Sequence, residues 1–82
     1  MTELYELPTE VRLAAGGGIQ AIRLPEGWRL VERTSNRWLV ETDWWREPVS
    51  RDYRRCVTRS GECVEVYHDL AMDSWHLARR YD

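Results

Sequence analysis

The chain has 82 residues, 12 basic against 14 acidic side chains, a net charge of −2, five Trp, four Tyr and no Phe. That length holds one domain, because a second core would leave each half too small for apolar burial to offset chain entropy. Two Cys, with no charged leader before an apolar run and no stretch long enough to cross a bilayer, exclude a disulfide scaffold and a membrane helix and point to a soluble cytoplasmic protein.

Met1 to Pro8 alternates apolar and acidic residues and reads as a tail or edge segment, with a single all-β domain from Thr9 to Asp82. Thr9 to Ala14 has the period of a half-buried strand, ended by Gly16-Gly17-Gly18. That glycine run lacks the following Lys-Ser/Thr of a phosphate loop. Ile19 to Leu24 is a second strand, closed by Pro25-Glu26-Gly27, and Trp28 to Arg33 a third. Thr34-Ser35-Asn36 then reads in two ways. As a hairpin turn it sets Val31 beside Val40 and Arg33 beside Trp38; alternatively Ser35 caps a short helix through Trp45. The β-branched and aromatic content favours the strand.

Three of the five Trp fall between Trp38 and Tyr53, so this stretch organises the core. Trp44 and Trp45, if extended, face opposite sides, and one of them should be exposed. Pro48 bends the chain, which re-enters as a strand at Val49. Val49–Thr58, Glu62–Asp69 and Trp75–Tyr81 then form an antiparallel meander, with turns at Arg59-Ser60-Gly61 and Ala71-Met72-Asp73-Ser74. With Ser60-Gly61 as a two-residue turn, Val57 faces Val64, Arg55 faces Val66 and Tyr53 faces His68; with Leu70 opposite Trp75, Leu77 lies beside His68. One face, Tyr53, Val57, Val64, Val66, Leu70, Trp75 and Leu77, becomes the core layer. The expected fold is all-β, a small strongly bent antiparallel sheet or partly closed barrel with a C-terminal three-strand meander.

No constellation has the spacing of a catalytic or metal centre. Cys56, Cys63, His68 and His76 lack the close ligand pairs that seed a zinc site. Cys56 and Cys63 lie diagonally in this register, too far apart for a disulfide. Acid pairs such as Asp43 with Glu47 or Glu65 with Asp69 have no accompanying base, nucleophile or oxyanion turn. The chain is therefore expected to be non-enzymatic, without metal or cofactor.

The remaining candidate is a binding patch of Trp44, Trp45, Arg46, Arg51, Tyr53, Arg54 and Arg55. All twelve basic residues are Arg, and a guanidinium stacks on rings and pairs bidentately with carboxylates and phosphates. Trp, Tyr and Arg carry interface hot spots, so a protein partner is the first reading. The same residues hold single-stranded nucleic acid in sheet and barrel domains, although the net negative charge and the nearby Glu47 and Asp52 weaken nonspecific affinity. The plainest reading has Arg stems covering core rings. A domain this small also gains stability as a homodimer; no membrane partner is expected.

W-W-R-E-P-V-S-R-D-Y-R-R-C-V-T, S-G-E-C-V-E-V-Y-H-D-L and S-W-H-L-A-R-R-Y-D together resemble a small uncharacterised bacterial domain whose members read W-W-R, R-x-Y-Y-R-V, D-G, E-L-Y-R-D-L and W-Y-L-x-R-x-Y-D. The resemblance covers Trp44 to Asp82 well and Val11 to Trp38 loosely. It implies association with ImuB-type Y-family polymerase-like proteins and an accessory role in DNA repair or translesion synthesis. This chain departs from the pattern at Arg54, Cys56 and His68, which stand where the family has Tyr, Val and Arg. A motif of core-type residues implies a shared fold more than a shared function.

Overall fold

Period-two alternation, interrupted by Gly, Pro and Asp turns, builds seven strands: β1 (Thr2–Thr9), β2 (Val11–Leu13), β3 (Ile19–Leu24), β4 (Gly27–Trp44), β5 (Glu47–Thr58), β6 (Cys63–Asp69) and β7 (Ser74–Tyr81). The computed structural model describes the backbone of residues 2–44 and 47–81 and the side chains of residues 7–42 and 49–81. The protein is all-β: one antiparallel sheet in the order β1-β7-β6-β5-β4-β3-β2, curled into a half-barrel. β1 and β2 stand at opposite ends of that order, yet only Glu10 separates them in sequence. The chain crosses from one edge of the sheet to the other at this corner. The Arg23 amide donates to the Glu10 carbonyl at 2.9 Å, and the Thr9 hydroxyl donates to the Arg23 carbonyl.

The curl encloses Ile19, Ile22 and Leu24 of β3, Cys56 of β5, Val64 and Val66 of β6 and Leu77 of β7, with Val11, Val31 and Trp75 packed against them. Below this core, Arg80 on β7 donates both terminal nitrogens to the Glu26 carboxylate at 2.6 and 2.8 Å and also reaches Glu62, tying the β3–β4 turn to the β5–β6 end. Among the described residues no helix is long and apolar enough to cross a membrane.

Three expectations are corrected. Thr34-Ser35-Asn36 is neither a turn nor a helix cap, because β4 runs unbroken for 18 residues. A straight strand of that length would reach ~60 Å, against a longest molecular dimension of 41 Å. β4 bends instead at bulges between Val31 and Arg33 and between Thr34 and Asn36. Ser35 is the extra residue of the second bulge, its hydroxyl donating to the Arg55 carbonyl at 3.2 Å. Val31 consequently faces Thr58, and Val40 faces Arg51.

The second correction concerns the β5–β6 register: the turn lies at Arg59-Ser60-Gly61 as expected, but all three residues form the loop, with Gly61 at φ 90°. Cys56 therefore faces Val64, Arg54 faces Val66 and Asp52 faces His68. A one-residue slip turns every side chain of a strand over. Cys56 and Thr58 point inward, while Tyr53 and Val57 lie on the outer face. The next hairpin is two residues out of the expected register: His68, not Leu70, faces Trp75, and Val66, not His68, faces Leu77; because the shift is even, Trp75 and Leu77 stay on the core side. Leu70 sits in the turn and is exposed.

β4 pairs with β3 only from Gly27 to Leu30, and β5 pairs with β6 only from Arg51 to Val57. Past Val40 and Arg51, where β6 ends, Glu41–Trp44 of β4 and Glu47–Ser50 of β5 pair only with each other, a short two-stranded end of the sheet.

Candidate interaction surface

Register decides which aromatic side chains meet. On the outer face Trp38 stands opposite Tyr53, Tyr53 opposite Tyr67 and Tyr67 opposite His76. Their ring centroids follow at 5.4, 5.0 and 4.9 Å, with interplanar angles of 10°, 35° and 15°. A single aromatic ladder thus crosses β4, β5, β6 and β7. Arginines flank it: the Arg51 guanidinium lies 4.6 Å from the Tyr67 centroid, and that of Arg55 lies 5.1 Å from Tyr81 and 5.9 Å from Trp38. Neither Arg51 nor Arg55 gives its buried Nε a hydrogen-bond partner among the described residues. Arg55 is held from below by Glu65, which is 3% exposed and accepts the Tyr81 hydroxyl proton; Arg55 also donates to that hydroxyl at 3.2 Å.

The opposite face of β5 has a different chemistry. Asp52 and Arg54 are each 7% exposed. Asp52 accepts Arg37 Nε at 3.1 Å and a terminal Arg37 nitrogen at 2.7 Å, and Arg54 approaches it at 3.4 Å. Burial pushes the Asp52 carboxyl up, but the Arg37 hydrogen bonds and the charges of Arg54 and Arg37 outweigh it and hold the group below the ordinary aspartate value. Arg54 also donates to the Gly17 carbonyl at 2.9 Å, fastening the glycine loop between β2 and β3 to β5, and covers Trp75 at 5.4 Å. Next to it His68 stacks on Trp75 at 4.5 Å and 7°.

Of the sequence-derived patch, Arg51, Tyr53 and Arg55 come together on the outer face. Arg54 does not join them, being the inner residue that links Asp52 to Gly17. Trp45 and Arg46 lie outside the described residues, as does the side chain of Trp44. Trp38, Tyr67 and His76 complete the ladder, although none of them belongs to the sequence-derived patch. The signal that could have found them is Gly61, since a three-residue hairpin loop places glycine last, and that choice sets the register.

No cluster of three or more His, Cys, Asp or Glu side chains among the described residues could hold a metal ion. Cys56 is enclosed, with burial pushing its thiol up, and Cys63 sits on the other face of the sheet. A cleft of about 410 Å³ lies where the two sheet edges approach, walled by Leu7, Pro8, Leu24, Pro25 and Leu77. Its polar groups, Glu10, Arg23 and Thr9, are turned to one another, Arg23 pairing with Glu10 at 3.1 Å. This is the chemistry of a seam rather than of a site that orients a substrate. Comparison with protein-family models, with curated proteins and with solved structures found no match for this chain.

Proposed function

We propose that this protein is a non-enzymatic interaction module that binds a protein partner through the outer face of β4 to β7, centred on Trp38, Arg51, Tyr53 and Arg55. One observation carries the choice between protein and nucleic acid. Bases stack on free ring faces, but in this ladder Trp38 and Tyr53 lie nearly parallel against each other, Tyr67 and His76 do the same, and guanidinium groups flank Trp38 and Tyr67. What remains is a row of ring edges and Arg terminal nitrogens, the chemistry of a protein hot spot. The resemblance of Trp44 to Asp82 to domains that accompany ImuB-type polymerase-like proteins supports a partner from a DNA-repair or translesion-synthesis assembly, and hence a cytoplasmic, bacterial setting.

The test pairs two readouts on one protein. In anisotropy titrations of a labelled single-stranded oligonucleotide at low and moderate salt, no salt-steep binding is expected. A photo-cross-linking residue at Tyr53 is expected to give a discrete protein adduct in the organism that carries the chain. Micromolar, salt-steep binding of the oligonucleotide that Arg51→Glu abolishes would overturn the protein reading and put single-stranded nucleic acid in its place.

A further inference from the structure

One edge of the sheet is unused. From Arg33 onward β4 pairs with β5 on one side and with no described strand on the other. A row of free backbone N–H and C=O groups is a template for another strand, and proteins usually blunt such an edge with Pro, Lys or a bulge. β1 carries such devices, an irregularity between Leu4 and Leu7 followed by Pro8. The β4 stretch Asn36–Trp44 has a regular ladder and neither Pro nor Lys, and its charged residues, Arg37, Glu41 and Asp43, are of mixed sign rather than of one repelling sign. It also exposes Leu39, at 55%. Only Glu41–Trp44, paired with Glu47–Ser50, is a two-stranded ribbon; such a ribbon is marginal in water, so this end gains from a third strand.

We propose that the occupant of this edge is a second copy of the chain, with β4 pairing antiparallel to β4 of its partner about a twofold axis at Leu39. The sequence around Leu39 is complementary to itself in that register. A twofold axis perpendicular to the sheet brings like face against like face, so residues face each other symmetrically about position 39. Leu39 then meets its own copy, Trp38 meets Val40, and Asn36 meets Thr42. Arg37 meets Glu41 twice, once on each side of the axis. Opposite charges and apolar pairs placed directly across strands stabilise an antiparallel ladder. The Arg37 bond to Asp52 uses Nε and one terminal nitrogen, and the side chain remains 63% exposed, so its other N–H groups face outward for a carboxylate. Registers two residues away lose this match: one sets Leu39 against Glu41 and Trp38 against Thr42, and the other sets both Arg37 side chains against Leu39. The resulting sheet runs continuously from β1 of one copy to β1 of the other, with both aromatic ladders on the same side.

The test is the mass of the native chain in solution by sedimentation equilibrium across the micromolar range. Twice the 9.8 kDa of one chain is expected for the native protein. Glu41→Arg, which sets Arg against Arg at both ends of the pairing, is expected to give the single-chain mass with an unchanged far-ultraviolet spectrum. In a Cys63→Ser background, Leu39→Cys should cross-link to its own copy under mild oxidation and Glu41→Cys should not. A native protein that stays at the single-chain mass, a Glu41→Arg variant that still dimerises, or cross-linking at Glu41 in place of Leu39 would overturn the proposal.

Discussion

The two faces of β5 differ although they alternate along a single strand. Inward, Asp52, Arg54, Cys56 and Thr58 are all buried and their polar groups are used within the chain: Asp52 by two arginines, Arg54 by Asp52 and Gly17, Thr58 by Ser60 and Glu62. Outward, Arg51, Tyr53, Arg55 and Val57 are half-buried among neighbouring rings. The inner face therefore fixes the curl of the sheet, and the outer face is the one free to change partner without loss of the fold. On that division, charge placed inward costs stability, and charge placed outward costs binding.

The largest effect should come from the enclosed core. Leu77→Ala, at a side chain 1% exposed, is expected to lower stability by about 2–5 kcal/mol, whereas Tyr53→Ala on the outer face should cost about 0.5–1.5 kcal/mol for the lost ring contacts. Equal losses in urea denaturation would erase the distinction between the faces. Next comes Arg54→Ala, which removes the donor to Gly17; a loss of about 1–3 kcal/mol is expected, with faster amide exchange concentrated in Ala14 to Gly18. Arg55→Ala should leave that loop untouched.

A smaller effect concerns pH. The Asp52 carboxyl lies below its ordinary value of 3.8 in the folded chain, so the folded state holds fewer protons there than the unfolded state. The stability this supplies is fully present above 3.8 and is lost as pH falls through the lower folded value. Asp52→Asn should flatten the acid limb of the unfolding curve in that window, and an unchanged limb would show that the Arg37 and Arg54 pairing does not survive in solution. The smallest perturbation is chemical: in the native state a thiol reagent should label Cys63 and spare Cys56, whose side chain is fully enclosed. Labelling of both at equal rates would place β5 in the other register.

Much of this was legible in the residues, and the failures have one physical source. Ile19 to Leu24 is a strand with the expected bounds, and the last three strands form the expected meander, because each is a period-two run bounded by Gly, Pro or Asp. Local pattern could not settle pairing. Reading Ser60-Gly61 as the whole turn set β5 one residue out of step, which put Tyr53 and Val57 into the core and Arg54 onto the surface. Likewise Thr34-Ser35-Asn36 has the composition of a turn, yet its hydrogen-bonding side chains serve a bulge that only the long partner strand β5 makes possible. The aromatic ladder was hidden for the same reason: Trp38, Tyr53, Tyr67 and His76 are 9 to 15 positions apart and become neighbours only once three registers are known.

The central claim, that the outer face of β4 to β7 is a protein-docking surface, is tested most directly by quantitative affinity capture with three baits. These are the native chain, Arg51→Glu combined with Arg55→Glu, and an inner-face control, Thr34→Val, chosen because the Thr34 hydroxyl lies against the Cys56 sulfur at 3.7 Å, on the other face from the ladder. The account predicts a partner retained by the native chain and the control and lost from the outer-face double variant, with all three folded by near-ultraviolet circular dichroism. The same partner held equally by all three folded baits would contradict it.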